Sequence, residues 1–126
     1  MIELCIEEWK RTKSSEFRLK NKNEIVGYMR VNDNNIEYDI ECQFKNSKKY
    51  KEIEHDRIEK SINRKDINNK KIYVNDNITA EVLTYNRKEY ISMKGIVLYD
   101  YSNSCYIIKN DEFGIPLFFA EHILII

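Results

Sequence analysis

The chain has 126 residues, a length typical of one domain, and we expect a single domain over residues 1–126. Its 21 basic and 21 acidic side chains cancel, so no net charge favours nucleic acid or a membrane surface as a partner. At 42% apolar residues the composition argues against disorder, and the apolar runs are too short to span a membrane. The acidic N-terminus is unlike a signal peptide, which predicts a cytoplasmic protein.

The first half of the chain, residues 1–65, is predicted to form strands followed by one helix. Short strands are expected at residues 2–6 and 16–19, where apolar and polar residues alternate. Residues 25–31 and 36–44 are predicted to pair as a hairpin, because the Asn and Asp residues between them are typical of a turn.

The alternation over residues 36–44 is the clearest local pattern in the chain. It is the period of a strand with one face in water and one face in a core. It predicts that the apolar members are buried and the acidic ones are solvated. The expected buried set is Ile36, Tyr38, Ile40 and Phe44, and the expected acidic face is Glu37, Asp39 and Glu41.

A change of period predicts one long helix over residues 47–63. Ser47 is a suitable N-cap, and Tyr50, Ile53, Ile58 and Ile62 recur at helical spacing among charged residues. Neither Gly nor Pro interrupts the segment. We expect one face of this helix to pack on a sheet.

The second half is predicted to be a small barrel-like, SH3-like β meander. Its segments are rich in Ile, Val, Tyr and Phe, which are enriched in strands, and polar turn sequences separate them. With the helix, this gives an α+β fold, mostly antiparallel. The expected strands are residues 78–85, 89–101, 105–109 and 115–120.

A sequence pattern in this half resembles that of a known family. Residues 66–78, DINNKKIYVNDNI, are similar to the pattern D-x-N-G-K-x-I-Y-E-G-D-I-V of the YopX-like proteins of phages and prophages. Residues 94–100 resemble that family's G-x-V-x-Y-D strand, and Pro116-Leu117 its P-L pair. The resemblance covers residues 66–126 and implies a phage or mobile-element origin, in a family without an established biochemical activity.

The chain departs from that pattern at two turns. Asn69 and Asn75 stand where the family has Gly, but Asn can adopt the left-handed backbone that Gly supplies, so both turns can survive. Asp76 is retained. We expect its carboxylate to accept backbone N–H groups in the turn rather than to act in catalysis.

No catalytic, metal or cofactor site is predicted. Cys5, Cys42 and Cys105 are widely spaced and form no pattern of metal ligands, and neither His55 nor His122 lies near a cysteine in the sequence. We expect three reduced, unpaired thiols. The acidic residues alternate with apolar ones, as on a solvated strand face, so we expect no enzyme.

Two functions stay open. The first is inhibition or modulation of a host protein by a small phage protein, for example a nucleic-acid-handling defence complex that is blocked by an anti-CRISPR-type inhibitor. The acidic face would then mimic a phosphate backbone. An apolar interface around Phe113, Phe118 and Phe119 is a further alternative.

The second function is nucleic-acid binding by an accessory protein of phage replication or gene regulation. Residues 45–71 hold 10 basic and 5 acidic side chains, and tyrosines can provide stacking surfaces for bases. The candidate basic residues are Lys48, Lys49, Lys51 and Arg57, and the candidate stacking residues are Tyr73, Tyr85, Tyr90, Tyr99, Tyr101 and Tyr106.

Overall fold

The computed structural model describes residues 14–32, 35–44, 51–83 and 89–126. The chain divides into two compact units, Met1–Lys60 and Ser61–Ile126. Almost all regular structure in the described ranges is antiparallel β-sheet, with a 3-10 turn before the last strand. The strands are β1 (Ser14–Asn21), β2 (Glu24–Asn32), β3 (Asn35–Asp39), β4 (Arg57–Lys65), β5 (Lys71–Tyr73), β6 (Asn77–Leu83), β7 (Tyr90–Asp100), β8 (Cys105–Lys109), β9 (Gly114–Pro116) and β10 (Ala120–Ile125); the 3-10 turn is Leu117–Phe119.

In the first unit, β2 pairs with β1 and β3, and the start of β4 pairs with the other edge of β1. Lys22 and Asn23 join β1 to β2 with φ values of 52° and 67°, as a two-residue hairpin turn with two left-handed residues requires. Leu19 is fully buried and pairs with Gly27. A Cβ on Gly27 would lie 2.5 Å from the Cδ1 of Ile53, so the segment before β4 packs closely over this glycine.

In the second unit, the end of β4 pairs with β5. The remaining strands form a sheet in the order β10-β6-β7-β8-β9, in which β6 to β9 are a meander and β10 returns beside β6. Alternate residues of β6 are buried while Asn77 and Glu81 are exposed, since successive side chains of a strand point to opposite faces. The core consists of Ile72, Ile78, Ala80, Val82, Met93, Val97, Ile108, Leu117, Ala120 and Ile123.

The α+β prediction with a long helix is wrong. Of the predicted segment 47–63, residues 51–55 have no regular structure and residues 57–63 belong to β4, while residues 47–50 lie outside the described part. The buried positions at the start of β4 are Glu59 and Ser61, and Ile58 is exposed. The apolar residues at helical spacing therefore did not identify the inner face of β4, because a carboxylate and a hydroxyl occupy its buried positions.

The expected buried face of residues 36–44 is also wrong. The strand ends at Asp39, Ile36 is 49% exposed and Ile40 is 76% exposed. Beyond Asp39, Cys42 and Phe44 have φ values of 59° and 48°, which are incompatible with an extended strand. The alternation of residue types continues past the point at which the backbone turns.

Two further predictions concern the N-terminal segment and the number of domains. The strand expected at residues 2–6 lies outside the described residues. A single domain over residues 1–126, with residues 66–126 as its YopX-like part, stays a prediction. The chain divides into two compact units between Lys60 and Ser61. Within the described residues, no helix is both long enough and apolar enough to cross a membrane.

Candidate binding surfaces

The three residues of the predicted acidic face have three different surroundings. Glu37 accepts hydrogen bonds from Nε and Nη2 of Arg30 on the neighbouring strand, the first at 3.0 Å. Asp39 accepts the backbone N–H groups of Glu41 at 2.8 Å and Phe44 at 2.6 Å. Glu41 is exposed and lies in the bend after β3. The structure does not bring the three carboxylates together on one strand.

The turn after β3 is built around Asp39. Its hydrogen bond with the N–H of Glu41, above all, lowers the pKa of the carboxyl, with further bonds such as that from Phe44 outweighing the opposing effect of burial. The guanidinium of Arg30 lies 4.6 Å from the centre of the Phe44 ring, as a cation–π contact. Asp39 therefore positions a turn, and Arg30 connects that turn to Glu37.

Two residues of the predicted basic surface are described. Lys51 is exposed in the segment before β4, and Arg57 is the first residue of β4. Lys48 and Lys49 lie outside the described residues. The predicted arrangement of the four on one helix is thus replaced, at Lys51 and Arg57, by an irregular segment and a strand.

Arg57 lies beside a buried ionic cluster that sequence reasoning did not find. Glu59 is 1% exposed, and its Oε1 accepts hydrogen bonds from Arg18 Nε at 2.9 Å and Nη2 at 2.7 Å. Lys20 Nζ lies 3.0 Å from the same oxygen, and Arg57 Nε lies 3.8 Å from Oε2. A carboxylate can be buried here because several cations and hydrogen bonds compensate its lost hydration.

The aspartates of the family-like segment are turn residues. Asp76 Oδ2 accepts the N–H of Tyr73 at 2.8 Å, which confirms the expected structural role of this carboxylate. Asn69 and Asn75 have φ values of 64° and 77°, which confirms that Asn adopts the left-handed backbone at both turns.

Asp66 connects its own turn to the last strand. Its Oδ1 accepts the N–H groups of Asn68 and Lys70, each at 2.9 Å, and its Oδ2 accepts the N–H of Ile125 at 3.2 Å. Burial raises the pKa of this carboxyl, but these hydrogen bonds and the charge of Lys70 outweigh burial, so its pKa is lowered. Like Asp76, this aspartate holds backbone in place.

A second group of ionisable side chains lies on the solvent side of β6, β7 and β10. Nδ1 of His122 lies 2.9 Å from Glu81 Oε2, and the hydroxyl of Tyr90 donates to Glu121 Oε1 at 3.3 Å. The charge of Glu121 is the main cause that raises the pKa of Tyr90. All four side chains are exposed, and surface pairs of this kind contribute little to stability.

The β7–β8 hairpin ends in a cluster of tyrosines, which we call the tyrosine tip (residues 99–106). Tyr99 and Tyr106 are paired across the two strands. The ring of Tyr99 lies 4.9 Å from that of Tyr101 and 5.1 Å from that of Tyr106, with angles of 77° and 71° between the planes. These are edge-to-face contacts, and they form one chain of three rings.

One ring of the tyrosine tip packs against the core, and another is exposed to solvent. Tyr106 packs against the core cluster, whereas Tyr101 is 86% exposed. Asp100 Oδ1 accepts the N–H of Ser102 at 3.0 Å and Oδ2 accepts Nδ2–H of Asn103 at 2.8 Å. The hydrogen bond from Asn103, first among several, lowers the pKa of Asp100, so this carboxylate is ionised at neutral pH.

Of the six tyrosines predicted as stacking residues, the structure brings three together at this tip. Tyr73 is buried, Tyr90 is exposed at the other end of β7, and Tyr85 lies outside the described residues. The sequence signal for the group is the segment YDYSNSCY, with tyrosines on both sides of a Ser/Asn turn. Only the pairing register shows that the flanking tyrosines meet.

The phenylalanines of the third predicted surface are all exposed. Phe118 and Phe119 have ring centres 4.0 Å apart, and Phe113 lies before β9. Cys42 and Cys105 are half-buried thiols, and Cys5 lies outside the described residues. Within the described ranges, no group of three or more His, Cys, Asp or Glu side chains could hold a metal ion.

Comparisons of the chain with protein-family models, curated proteins and solved structures gave no match. The resemblance to YopX-like proteins therefore stays a prediction.

Proposed function

We propose that this protein acts without turnover, as a binding protein that attaches to a protein partner through the tyrosine tip and inhibits or modulates it. The observation that supports this proposal is the chain of three tyrosine rings, with Tyr101 exposed at its end. Tyrosine is enriched among the residues that dominate binding energy at protein interfaces. Its ring supplies a large contact area while its hydroxyl forms hydrogen bonds.

The ordered backbone of the tip favours binding. Asp100 hydrogen-bonds within the turn, and the strands on either side pair as far as Asp100 and Cys105. A loop that is ordered before it binds loses less conformational entropy on association. Tyrosines displayed among Ser and Asn are also typical of antibody binding loops, in which rigid rings are combined with small polar contacts.

The composition of the tip favours a protein partner over nucleic acid. Residues 99–106 contain one carboxylate and no Lys or Arg, whereas nucleic-acid binding depends on cations that neutralise phosphates. The alternative function, nucleic-acid binding by an accessory protein, would use other residues. Lys51 and Arg57 are the exposed described members of the predicted basic set.

The biological setting in this proposal comes from the resemblance of residues 66–126 to YopX-like proteins. It implies a phage or prophage protein acting in the host cytoplasm, with a host protein as its target. A defence complex that handles nucleic acid is one such target, for which the protein would be an anti-defence inhibitor.

The experiment is affinity capture from host lysate, with and without nuclease, by the wild type and two variants. Tyr101→Ala removes the exposed ring of the tip, and Tyr90→Ala is a matched control, since Tyr90 is an exposed tyrosine near the opposite end of β7. We expect a partner that survives nuclease treatment, is captured by Tyr90→Ala and is lost with Tyr101→Ala. Capture that disappears with nuclease supports the alternative, and equal capture by both variants contradicts binding through the tip.

A further inference from the structure

The tyrosine tip has a geometry that suits one class of chemical group. The planes of Tyr99 and Tyr101 are nearly perpendicular, at 77°, with ring centres 4.9 Å apart. Two rings at this angle form a corner, and a group placed there can contact the face of one ring and approach the other. The wide exposure of Tyr101 leaves its ring accessible from solvent.

An aromatic face is electron-rich, so it attracts a cation that lies within about 6 Å of the ring centre. Corners and cages of aromatic rings are a known means of binding ammonium groups. Within this protein, the guanidinium of Arg30 already lies 4.6 Å from the centre of the Phe44 ring.

Residues 99–106 contain no Lys or Arg that would repel a cationic ligand. Asp100 lies between Tyr99 and Tyr101 in the chain and contributes the one formal charge in residues 99–106. Its hydrogen bonds with Ser102 and Asn103 hold it in the turn. Successive side chains of a strand point to opposite faces, and the charge of Lys109 acts on Asp100, so the attraction of a cation to the corner comes from the ring faces.

We propose that the corner formed by Tyr99 and Tyr101 binds a cationic side chain, an ammonium or guanidinium group, on the surface of the protein partner. This inference rests on the proposed function and adds the chemistry of the contact. It predicts that the partner has an exposed Lys, methylated Lys or Arg at the centre of its interface. An apolar or neutral side chain at that place is the competing outcome.

The test uses small probes on the whole protein, with tyrosine ring signals followed by NMR. Choline is the ammonium probe and acetyl-arginine amide the guanidinium probe. Dimethylbutanol, 3,3-dimethylbutan-1-ol, has the shape of choline without its charge and is the neutral control. We expect at least one cationic probe to bind about 2- to 5-fold more tightly than dimethylbutanol, which is the difference that a cation–π contact of about 0.5–1 kcal/mol at an exposed site produces.

Two variants locate the binding. Tyr101→Phe keeps the ring and should bind the cationic probe as tightly as the wild type, whereas Tyr101→Leu should lose most of this preference of about 2- to 5-fold, because a cation has little affinity for an aliphatic side chain. Equal affinity for the cationic and neutral probes, no saturable shift with either cation, or undiminished binding to Tyr101→Leu would each overturn the inference. The proposed function is tested separately, by the capture experiment with Tyr101→Ala, which uses none of these probes.

Discussion

The described parts of the two compact units bury different kinds of side chain. In the described part of the first unit, Leu19 is the fully buried large apolar residue, and its buried companions include Arg18 and Glu59. In the second unit, ten apolar residues form a continuous core. Among the described residues, buried charged side chains are thus prominent in the first unit, and apolar packing is prominent in the second.

This difference bears on the proposed function. A sheet with a continuous core is a rigid support, because its interior is densely packed. The tyrosine tip extends from such a sheet, since Tyr106 contacts the core and Tyr99 pairs with it. The candidate acidic and basic residues belong instead to the part of the chain in which charges pair with one another.

The largest effect is expected from a cavity in the second unit. Ile108→Ala removes a fully buried side chain, and such changes cost about 2–5 kcal/mol of unfolding free energy. The matched control is Ile36→Ala in the first unit, where the side chain is 49% exposed and the cost should be about 0.5 kcal/mol or less. Urea unfolding of both variants gives the values. Equal losses would contradict the assignment of the core to the second unit.

The ionic cluster of the first unit should give the next largest effect. Glu59→Gln keeps the shape of the side chain but leaves Arg18 and Lys20 without its negative charge. Removing one partner of a buried ion pair costs about 3–5 kcal/mol, and we expect about 3 kcal/mol because the amide oxygen still accepts a hydrogen bond. Glu41→Gln, at an exposed carboxylate, should change the free energy by no more than about 0.5 kcal/mol. A Glu59→Gln variant as stable as the Glu41→Gln variant would show that the cluster does not stabilise the first sheet.

The smallest expected effect is a pH dependence from Asp66 in the second unit. The folded-state pKa of this carboxyl lies below its ordinary value of 3.8, so the unfolded chain binds the proton more tightly. The stability that the carboxylate contributes is therefore present above pH 3.8 and is lost as the pH falls through the folded-state pKa. The difference in urea midpoint between wild type and Asp66→Asn should shrink over that range. A difference that stays constant from neutral pH to below that range would contradict this role of Asp66.

The same contrast explains which parts of the fold the sequence predicts. Strands β7 and β8 were expected at residues 89–101 and 105–109 and are observed at Tyr90–Asp100 and Cys105–Lys109. Their richness in Ile, Val and Tyr, and the polar turn sequence between them, located them. The start of β4 was missed, because Glu59 occupies a buried position there and is stabilised by Arg18 on another strand, a partner that local periodicity cannot identify.

For the candidate sites, too, local sequence predicts contacts between neighbouring residues but not contacts that depend on how the strands pair. The turn roles of Asp76 and of Asn69 follow from local sequence, because hydrogen bonds within a turn involve neighbouring residues. The acidic residue Glu37 pairs with Arg30, and that pairing depends on the register of β2 and β3. The tyrosines were predicted as stacking surfaces for bases, but the assembly of three of them at one tip depends on the register of β7 and β8.

The most direct test of the central claim is hydrogen exchange of the protein alone and with a captured partner, read out residue by residue. Binding through the tyrosine tip predicts that exchange slows at residues 101–104, whose backbone lies in the turn between β7 and β8. Exchange at the bend after β3, which contains Glu41, should be unchanged. Slower exchange at that bend, or around Lys51 and Arg57, with none at residues 101–104 would contradict the proposed binding surface.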